Sequence, residues 1–336
     1  MDDVDSDDRA LYTRVMSDNL RIAIAQVNTS VGAIDANIDK IGAARRQAAL
    51  VDADLVVFGE LTISGYPPED LVLKPAFQQA VEDAVAELAQ ETGDGGPALL
   101  IGSPWRLDGS LYNAALLLEE GEIRAVRTKS QLPNYGVFDE KRVFVAGPLS
   151  GPILFRDVRL GVMICEDMWS GDVTECLDES GAEILIVING SPFETDKQDE
   201  RLNFAVARVT ESRLPLIYVN LVGGQDELVF DGGSFVLSAD RNLCAKARAF
   251  EEELLITEWS RVSDAWVCGG GPIKSALDIL EATYRSLVLG VRDYVDKNGF
   301  SGVLIGLSGG IDSALTAAVA VDALGTERVH CVMMPS

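Results

Sequence analysis

Ser308, Gly309, Gly310, Ile311, Asp312 and Ser313 bring two adjacent glycines, an aspartate and two serines into one short stretch. The apolar run 302–307 (GVLIGL) before it has the length of a strand. The Ala-rich run 314–324 (ALTAAVAVDAL) after it is long enough for a helix. A strand-to-helix turn of this composition aims several backbone N–H groups and a helix N-terminus at one point, which suits phosphate. No Gly-Lys-Ser/Thr follows, so the lysine-bearing Walker A loop is excluded. A plain glycine-rich turn in a parallel sheet is the competing account, and the specific wording in a strand–loop–helix context weighs against it. In this reading backbone groups from Gly306 and Leu307 through Ser313 face the phosphates, with Ser308 and Ser313 donating hydroxyl hydrogen bonds.

A second set of reactive side chains lies upstream at predicted strand ends, where open α/β folds place ligands. Glu60 ends LVVFGE, Lys129 ends IRAVRTK, and Cys165 sits in GVMICED. Taken singly, each has a plain explanation: a surface glutamate, a surface lysine, and a small thiol packed in a core. Their neighbours and the lack of histidine shift the balance. The one histidine, His330, lies in the final apolar segment, so a Cys-His or Ser-His pair with a second histidine in reserve is not available, and a histidine-built metal site is excluded. A thiol attacks only as thiolate, from an unperturbed pKa of about 8.5. Here a carboxylate must take its proton and a cation must stabilise the charge, and Glu60 and Lys129 can supply those roles.

The elements that must hold these groups alternate along the chain. Strands are predicted at 20–27, 54–60, 98–102, 159–167, 183–190, 214–222 and 235–238, and a hairpin at 112–129 with Glu120-Gly121 as its turn. Helices are predicted at 37–53, 76–92 and 201–213, with a short one between 167 and 183. This is an α/β layered domain over about 19–262. The stretch 263–275, with three consecutive glycines and a proline, reads as a linker. A long amphipathic helix at 276–299 then feeds the GVLIGL strand and opens a second domain, 276–336.

Composition bounds the rest. The 336 residues are 47% hydrophobic and 24% charged, which fits a globular protein. No apolar run reaches the roughly 18–20 residues of a membrane helix, and the N-terminus lacks the pattern of a secretory signal. Residues 1–18 read as an acidic disordered tail, and the cytoplasm is the expected compartment. A net charge of −25 excludes nucleic acid and anionic membrane as partners, since both need a basic footprint. The five cysteines include no C-x-x-C pair, so neither a disulfide framework nor a zinc site is expected.

Five strings carry a resemblance: GELTISGYPPEDL (59–71), KSQLPNYGVFDEKRVF (129–144), GVMICEDMW (161–169), NGSPFE (189–194) and NLVGGQDELVFDGGSF (220–235). A Glu–Lys–Cys set in these contexts resembles the nitrilase, or carbon–nitrogen hydrolase, superfamily. SGGIDS resembles the pyrophosphate loop of the ATP pyrophosphatases. The order of the two, over about residues 19–336, is similar to the family of glutamine-dependent NAD⁺ synthetases, with Gly59 and Gly190 as minor departures. The resemblance implies a nitrilase-like α-β-β-α sandwich followed by the start of a doubly wound parallel α/β nucleotide-binding domain. It further implies that the synthetase domain continues beyond Ser336, so this chain is a C-terminally truncated form.

The roles that follow are those of the family, carried residue by residue. Glu60 is the general base, Cys165 attacks the glutamine side-chain amide, and Lys129 supports both charges. Tyr135, Ser191 and Lys197 surround L-glutamine, and Glu140 is a candidate second carboxylate orienting Lys129. Ser191 before Pro192 could equally be a turn residue, and Lys197 a helix-start surface charge. Gly306, Leu307, Ser308, Gly309, Gly310, Ile311, Asp312 and Ser313 hold ATP. Asp312 is the expected Mg²⁺ ligand, with a helix cap as its ordinary alternative. No bound organic cofactor is expected in the glutaminase domain. The implied reaction is ATP-dependent amidation of deamido-NAD⁺ by a homo-oligomer. The alternatives are a freestanding amidase without ligase activity and a catalytically inactive binding protein.

Overall fold

The computed structural model describes residues 18–195 and 197–334. The acidic tail expected at 1–18 therefore lies, apart from Asp18, outside the described residues. The first elements are β1 (Asn19–Gln26), α1 (Ile34–Ala49), β2 (Leu55–Phe58), α2 (Pro75–Glu91), β3 (Ala98–Leu107), β4 (Ser110–Glu119), β5 (Glu122–Thr128) and the short α3 (Glu140–Val143). Next come β6 (Ile153–Phe155), β7 (Val158–Ile164), α4 (Gly171–Glu179), β8 (Ile184–Asn189), α5 (Lys197–Ser212) and β9 (Leu216–Asn220). The hairpin strands β10 (Val222–Gln225) and β11 (Leu228–Asp231) follow, then β12 (Phe235–Leu237), β13 (Leu243–Lys246), β14 (Glu253–Val262) and β15 (Ala265–Cys268). The last part is α6 (Ile279–Lys297), β16 (Val303–Leu307), α7 (Ile311–Leu324) and β17 (Val329–Met333).

Two sheets, ordered β15-β14-β1-β2-β3-β4-β5 and β13-β12-β9-β8-β7-β6, pack face to face. The two-residue period of the strands divides their side chains between layers. In β2, Leu55 and Val57 enter the core between the sheets, while Val56 and Phe58 join the core under α1 and α2. In β8, Ile184, Ile186 and Ile188 face the other sheet, and Leu185 and Val187 face α4 and α5. Every one of these side chains is buried, each worth roughly 1.5–3 kcal/mol. The result is the α-β-β-α sandwich. Strands buried on both faces explain why these runs are continuously apolar rather than alternating.

Two expectations are corrected and one element is added. The strand read over 159–167 ends at Ile164, and Cys165 opens a 3-10 turn spanning Cys165–Trp169. The Gly-rich passage 223–233 holds the antiparallel hairpin β10–β11, because alternate residues of LVFD find a buried face. The linker 263–275 begins as strand: Ala265–Cys268 pairs with β14, with Trp266 and Cys268 buried and Ala265 and Val267 exposed. The sandwich therefore extends past residue 262.

In the C-terminal part β16 and β17 run parallel, with α6 and α7 packed together beside them. Asp278 caps α6, accepting from the N–H groups of Leu280 and Glu281 at 3.0 Å each. This is the beginning of a parallel α/β layer, and α6 rests on the β10–β11 hairpin of the sandwich. Among the described residues no helix is long and apolar enough to cross a membrane.

Candidate active site

Glu60 leaves β2 through Gly59. A methyl at Gly59 would stand 2.7 Å from Leu221 and 2.9 Å from the Asn189 carbonyl, so only glycine lets the chain pass. The carboxylate of Glu60 is fully buried. Its Oε1 accepts from Lys129 Nζ at 2.6 Å and Asn113 Nδ2 at 2.7 Å, and its Oε2 accepts from the Gly190 N–H at 2.9 Å.

Lys129 follows β5, where its N–H continues the pairing with β4 by donating to Asn113 O at 2.8 Å. Its side chain has no solvent exposure, and Nζ also donates to Glu140 Oε1 at 2.8 Å. Burial alone lowers the pKa of the ammonium. The charges of Glu140 and Glu60 outweigh that effect and hold the Lys129 pKa well above its ordinary value. The lysine is a fixed cation. Two carboxylates share this one ammonium, so Glu140, pushed up first by burial and then by Glu60, keeps a proton more readily than an ordinary glutamate. The Tyr66 hydroxyl donates to Glu140 Oε1 at 2.9 Å.

Cys165 has φ +47, the left-handed region that a non-glycine residue occupies at a cost of about 1–3 kcal/mol. Asp167 holds this turn. Its Oδ2 accepts from the Ile164 N–H at 3.1 Å, and its Oδ1 accepts from Ser130 N, Ser130 Oγ and Gln131 N at 2.8–3.0 Å. One carboxylate thus ties the cysteine turn to the residues just after Lys129. The thiol is buried and feels Glu60, Lys129, Glu140 and Glu166. Burial, then Glu60, pushes its pKa well above the ordinary value, and Lys129 only partly opposes them. The resting sulfur is a neutral thiol. Attack by such a thiol would need a base, and the Glu60 carboxylate is among the groups that act on it.

The residues expected around a substrate fall in two groups. Tyr135, half exposed, donates to Glu166 at 3.1 and 2.9 Å. Lys197 begins α5 but is buried rather than a surface charge. Its Nζ stands 4.8 Å over the Trp169 ring, with Glu200 at 3.4 Å and Glu194 at 3.8 Å. Ser191 pairs with other groups: its Oγ accepts from Arg201 Nε at 3.0 Å and its N–H donates to Asn220 at 2.9 Å. Arg201 is itself buried against Asp231 at 2.7 Å.

In the loop 308–313, Gly309 (φ +81) makes the turn and Gly310 caps α7. Ser308 N donates to Ser313 Oγ at 3.3 Å, and Ser313 Oγ donates to Gly310 O at 3.0 Å. Ser308 through Asp312 are exposed, with Asp312 in the first turn of α7.

A family model described as carbon-nitrogen hydrolase matches residues 21–263, most of the chain and all of the Glu60–Lys129–Cys165 site. The chain belongs to the carbon-nitrogen hydrolase family. A second model, described as NAD synthase, matches residues 283–336. The glutamine-dependent NAD⁺ synthetase of Rhodobacter capsulatus is 46% identical over 321 residues, covering 96% of this chain and 58% of that protein. The same enzyme of Xanthomonas campestris is 42% identical, covering 97% and 59%. The chain thus spans somewhat under three-fifths of the length of these relatives. Among solved structures, glutamine-dependent NAD⁺ synthetase from Acinetobacter baumannii in complex with ADP superposes with a TM-score of 0.88 at 39% identity, over 94% of this chain and 60% of that one. An amidase of the nitrilase superfamily from Nesterenkonia superposes at 0.65 with 26% identity, over 72% of this chain and 90% of that one. Its structure shows covalent addition of the acetamide moiety of fluoroacetamide at the active site cysteine.

Several residues of this buried cluster are not singled out by their sequence context. Asn113, Tyr66 and Asp167 act through hydrogen bonds that close only in the fold. Glu166 adjoins the cysteine in sequence, yet only the structure turns it toward Tyr135. Mg²⁺ fits the second site in one respect. Asp312 offers a single hard oxygen donor beside the loop, and no cluster of three or more metal-binding side chains occurs among the described residues. Asp312 could hold the ion only together with nucleotide phosphates, whose charge the ion would offset.

Proposed function

We propose that this chain carries the glutamine-hydrolysing site and the first part of the ATP site of a glutamine-dependent NAD⁺ synthetase. The observation that carries the reading is a fully buried lysine held between two carboxylates, beside a cysteine on a left-handed turn. A phosphate-type loop downstream, and relatives with both parts, support the second half.

Glu60 takes the Cys165 proton as the sulfur attacks the side-chain amide carbon of glutamine. The oxyanion that forms is stabilised by the fixed charge of Lys129. Collapse of the tetrahedral species passes the proton from Glu60 to the leaving nitrogen, and ammonia departs from a γ-glutamyl thioester. Glu60 then deprotonates a water, which frees glutamate and restores the thiol. Lys197 is placed to meet the substrate carboxylate. Glu166, beside Tyr135, is placed to meet its ammonium, and Ser191 closes the far wall. In the second half, Gly306 through Ser313 bind the ATP phosphates, and Asp312 would hold a Mg²⁺ ion whose charge would offset theirs. The nicotinate carboxylate of deamido-NAD⁺ attacks the α-phosphorus of ATP and releases pyrophosphate, and ammonia then displaces AMP from the acyl-adenylate. A cytoplasmic homo-oligomer suits a reaction that passes ammonia between two sites.

Ammonia release from glutamine, set against release from simple aliphatic amides, tests the first half. A diazo-ketone analogue of glutamine should label Cys165. Hydrolysis of aliphatic amides with no preference for glutamine would overturn the substrate assignment. For the second half, NAD⁺ formation from deamido-NAD⁺, ATP and glutamine by the full-length gene product should stop in Asp312→Ala while glutamine hydrolysis persists. Unchanged synthesis in that variant would remove Asp312 from the ATP site.

A further inference from the structure

Tyr66 touches both ends of the buried charge cluster. Its hydroxyl donates to Glu140 Oε1 at 2.9 Å, the same oxygen that accepts Lys129 Nζ at 2.8 Å. Its ring lies against Gly190, where a methyl would stand 2.9 Å from Tyr66 Cγ. The Gly190 N–H in turn donates to Glu60 Oε2 at 2.9 Å. One aromatic residue therefore bears on the anchor of the base and on the anchor of the lysine. The Phe230 ring, edge-on at 6.0 Å, fixes it from behind.

We propose that Tyr66 is a positioning residue for the Cys165 reaction, acting through Glu140 to hold Lys129 against Glu60 and the developing oxyanion. The proposal rests on the reading of Glu60, Lys129 and Cys165 as the catalytic set. Buried among carboxylates, the phenol is held neutral, so it remains a donor throughout the working pH range. The groups facing Glu140 are Lys129 from the end of β5, Glu60 from beyond β2, and Tyr66, with Asn113 of β4 at 3.5 Å and Cys165 farther off. Of these, Lys129 and Tyr66 favour the ionised carboxylate and Glu60 opposes it. A Glu140 that loses the phenol takes up a proton more easily, and Lys129 loses half of its counter-charge. The same contact accounts for glycine at position 190. Any side chain there would displace the Tyr66 ring or break the N–H bond to Glu60.

Tyr66→Phe removes one oxygen and keeps the ring. Loss of a hydrogen bond to a charged group predicts a kcat for glutamine lower by roughly tenfold to a hundredfold, with KM little changed. The acid limb of the kcat profile should move to higher pH. The double variant Tyr66→Phe with Glu140→Gln should be no slower than Glu140→Gln alone, because the phenol acts through that charge. Unchanged kcat and acid limb in Tyr66→Phe, or losses that multiply in the double variant, would overturn the proposal. If Tyr66→Phe does not fold, Gly190→Ala, which pushes on the same ring, should give the same kcat loss and the same acid-limb shift. A Gly190→Ala enzyme with the native profile would also overturn it. Cys165→Ala is the control: activity retained there sinks the underlying catalytic set, whereas an inactive Cys165→Ala beside an unaffected Tyr66→Phe sinks the role of Tyr66 alone.

Discussion

Glu60→Gln isolates proton acceptance from shape. Three donors converge on the two oxygens of Glu60: Lys129 Nζ at 2.6 Å, Asn113 Nδ2 at 2.7 Å and the Gly190 N–H at 2.9 Å. A glutamine has one oxygen to offer them. Turned toward Gly190, it would set its NH₂ against the Lys129 ammonium, so the oxygen should stay with Lys129 and Asn113. The NH₂ then faces the Gly190 N–H, and a buried donor left without an acceptor costs about 1–3 kcal/mol of stability. Catalysis should lose more. An amide cannot take the proton from a thiol that burial and Glu60 hold in its neutral form, and general-base catalysis is worth about 10²–10⁴-fold, or roughly 3–5 kcal/mol of barrier. The assay is steady-state ammonia release from glutamine by the purified chain, with thermal unfolding by circular dichroism in parallel. A Glu60→Gln protein that melts as a cooperative fold but keeps kcat close to wild type would refute the assignment of Glu60 as base.

Three further outcomes are expected. Cys165→Ala should abolish glutamine hydrolysis, while Cys176→Ala, on α4 in the outer layer, should keep most of it; ammonia release from the two variants decides. Lys129→Met leaves Glu60 and Glu140 buried without their cation, a loss of about 3–5 kcal/mol for breaking such a cluster. Its stability should recover toward wild type as pH falls and the carboxylates protonate, which urea unfolding at several pH values would show. Lys297, which donates to the Thr29 and Gly224 carbonyls, has its pKa lowered to about 8, first by burial. The unfolded chain binds the extra proton between about 8 and the ordinary lysine value of 10.5, so folded stability contributed by this site rises with pH across that window. Lys297→Met should flatten the rise in unfolding experiments, and an identical slope in both proteins would count against a buried, proton-poor lysine.

Much of the architecture follows from local rules that a single chain displays. Apolar runs of strand length alternate with amphipathic segments, so the α/β layering and the order of β1 through α5, apart from the short α3 and β6, are readable before folding. The lack of any histidine but His330 narrows a cysteine site to carboxylate and lysine partners, and SGGIDS between an apolar strand and an Ala-rich helix has the composition of a phosphate loop. These signals are local in sequence, so one chain displays them. Tertiary structure decided the rest. Glu60 and the Gly190 N–H, or Tyr66 and Glu140, meet only because parallel strands and the loops beyond them come into register, and no period in the sequence records such long-range hydrogen bonds. The turn at Cys165 hides inside an apolar run because its φ of +47 is imposed by Asp167 reaching back to Ile164 and across to Ser130. Strand β15 is masked by the glycines that follow it, although Trp266 and Cys268 alternate inward. The seat of α6 on the β10–β11 hairpin rests on Asp293, which accepts from Asn28 at 2.6 Å and from the Gly224 N–H at 2.7 Å. Those partners lie 265 and 69 positions away, and only a closed fold brings them to a buried carboxylate.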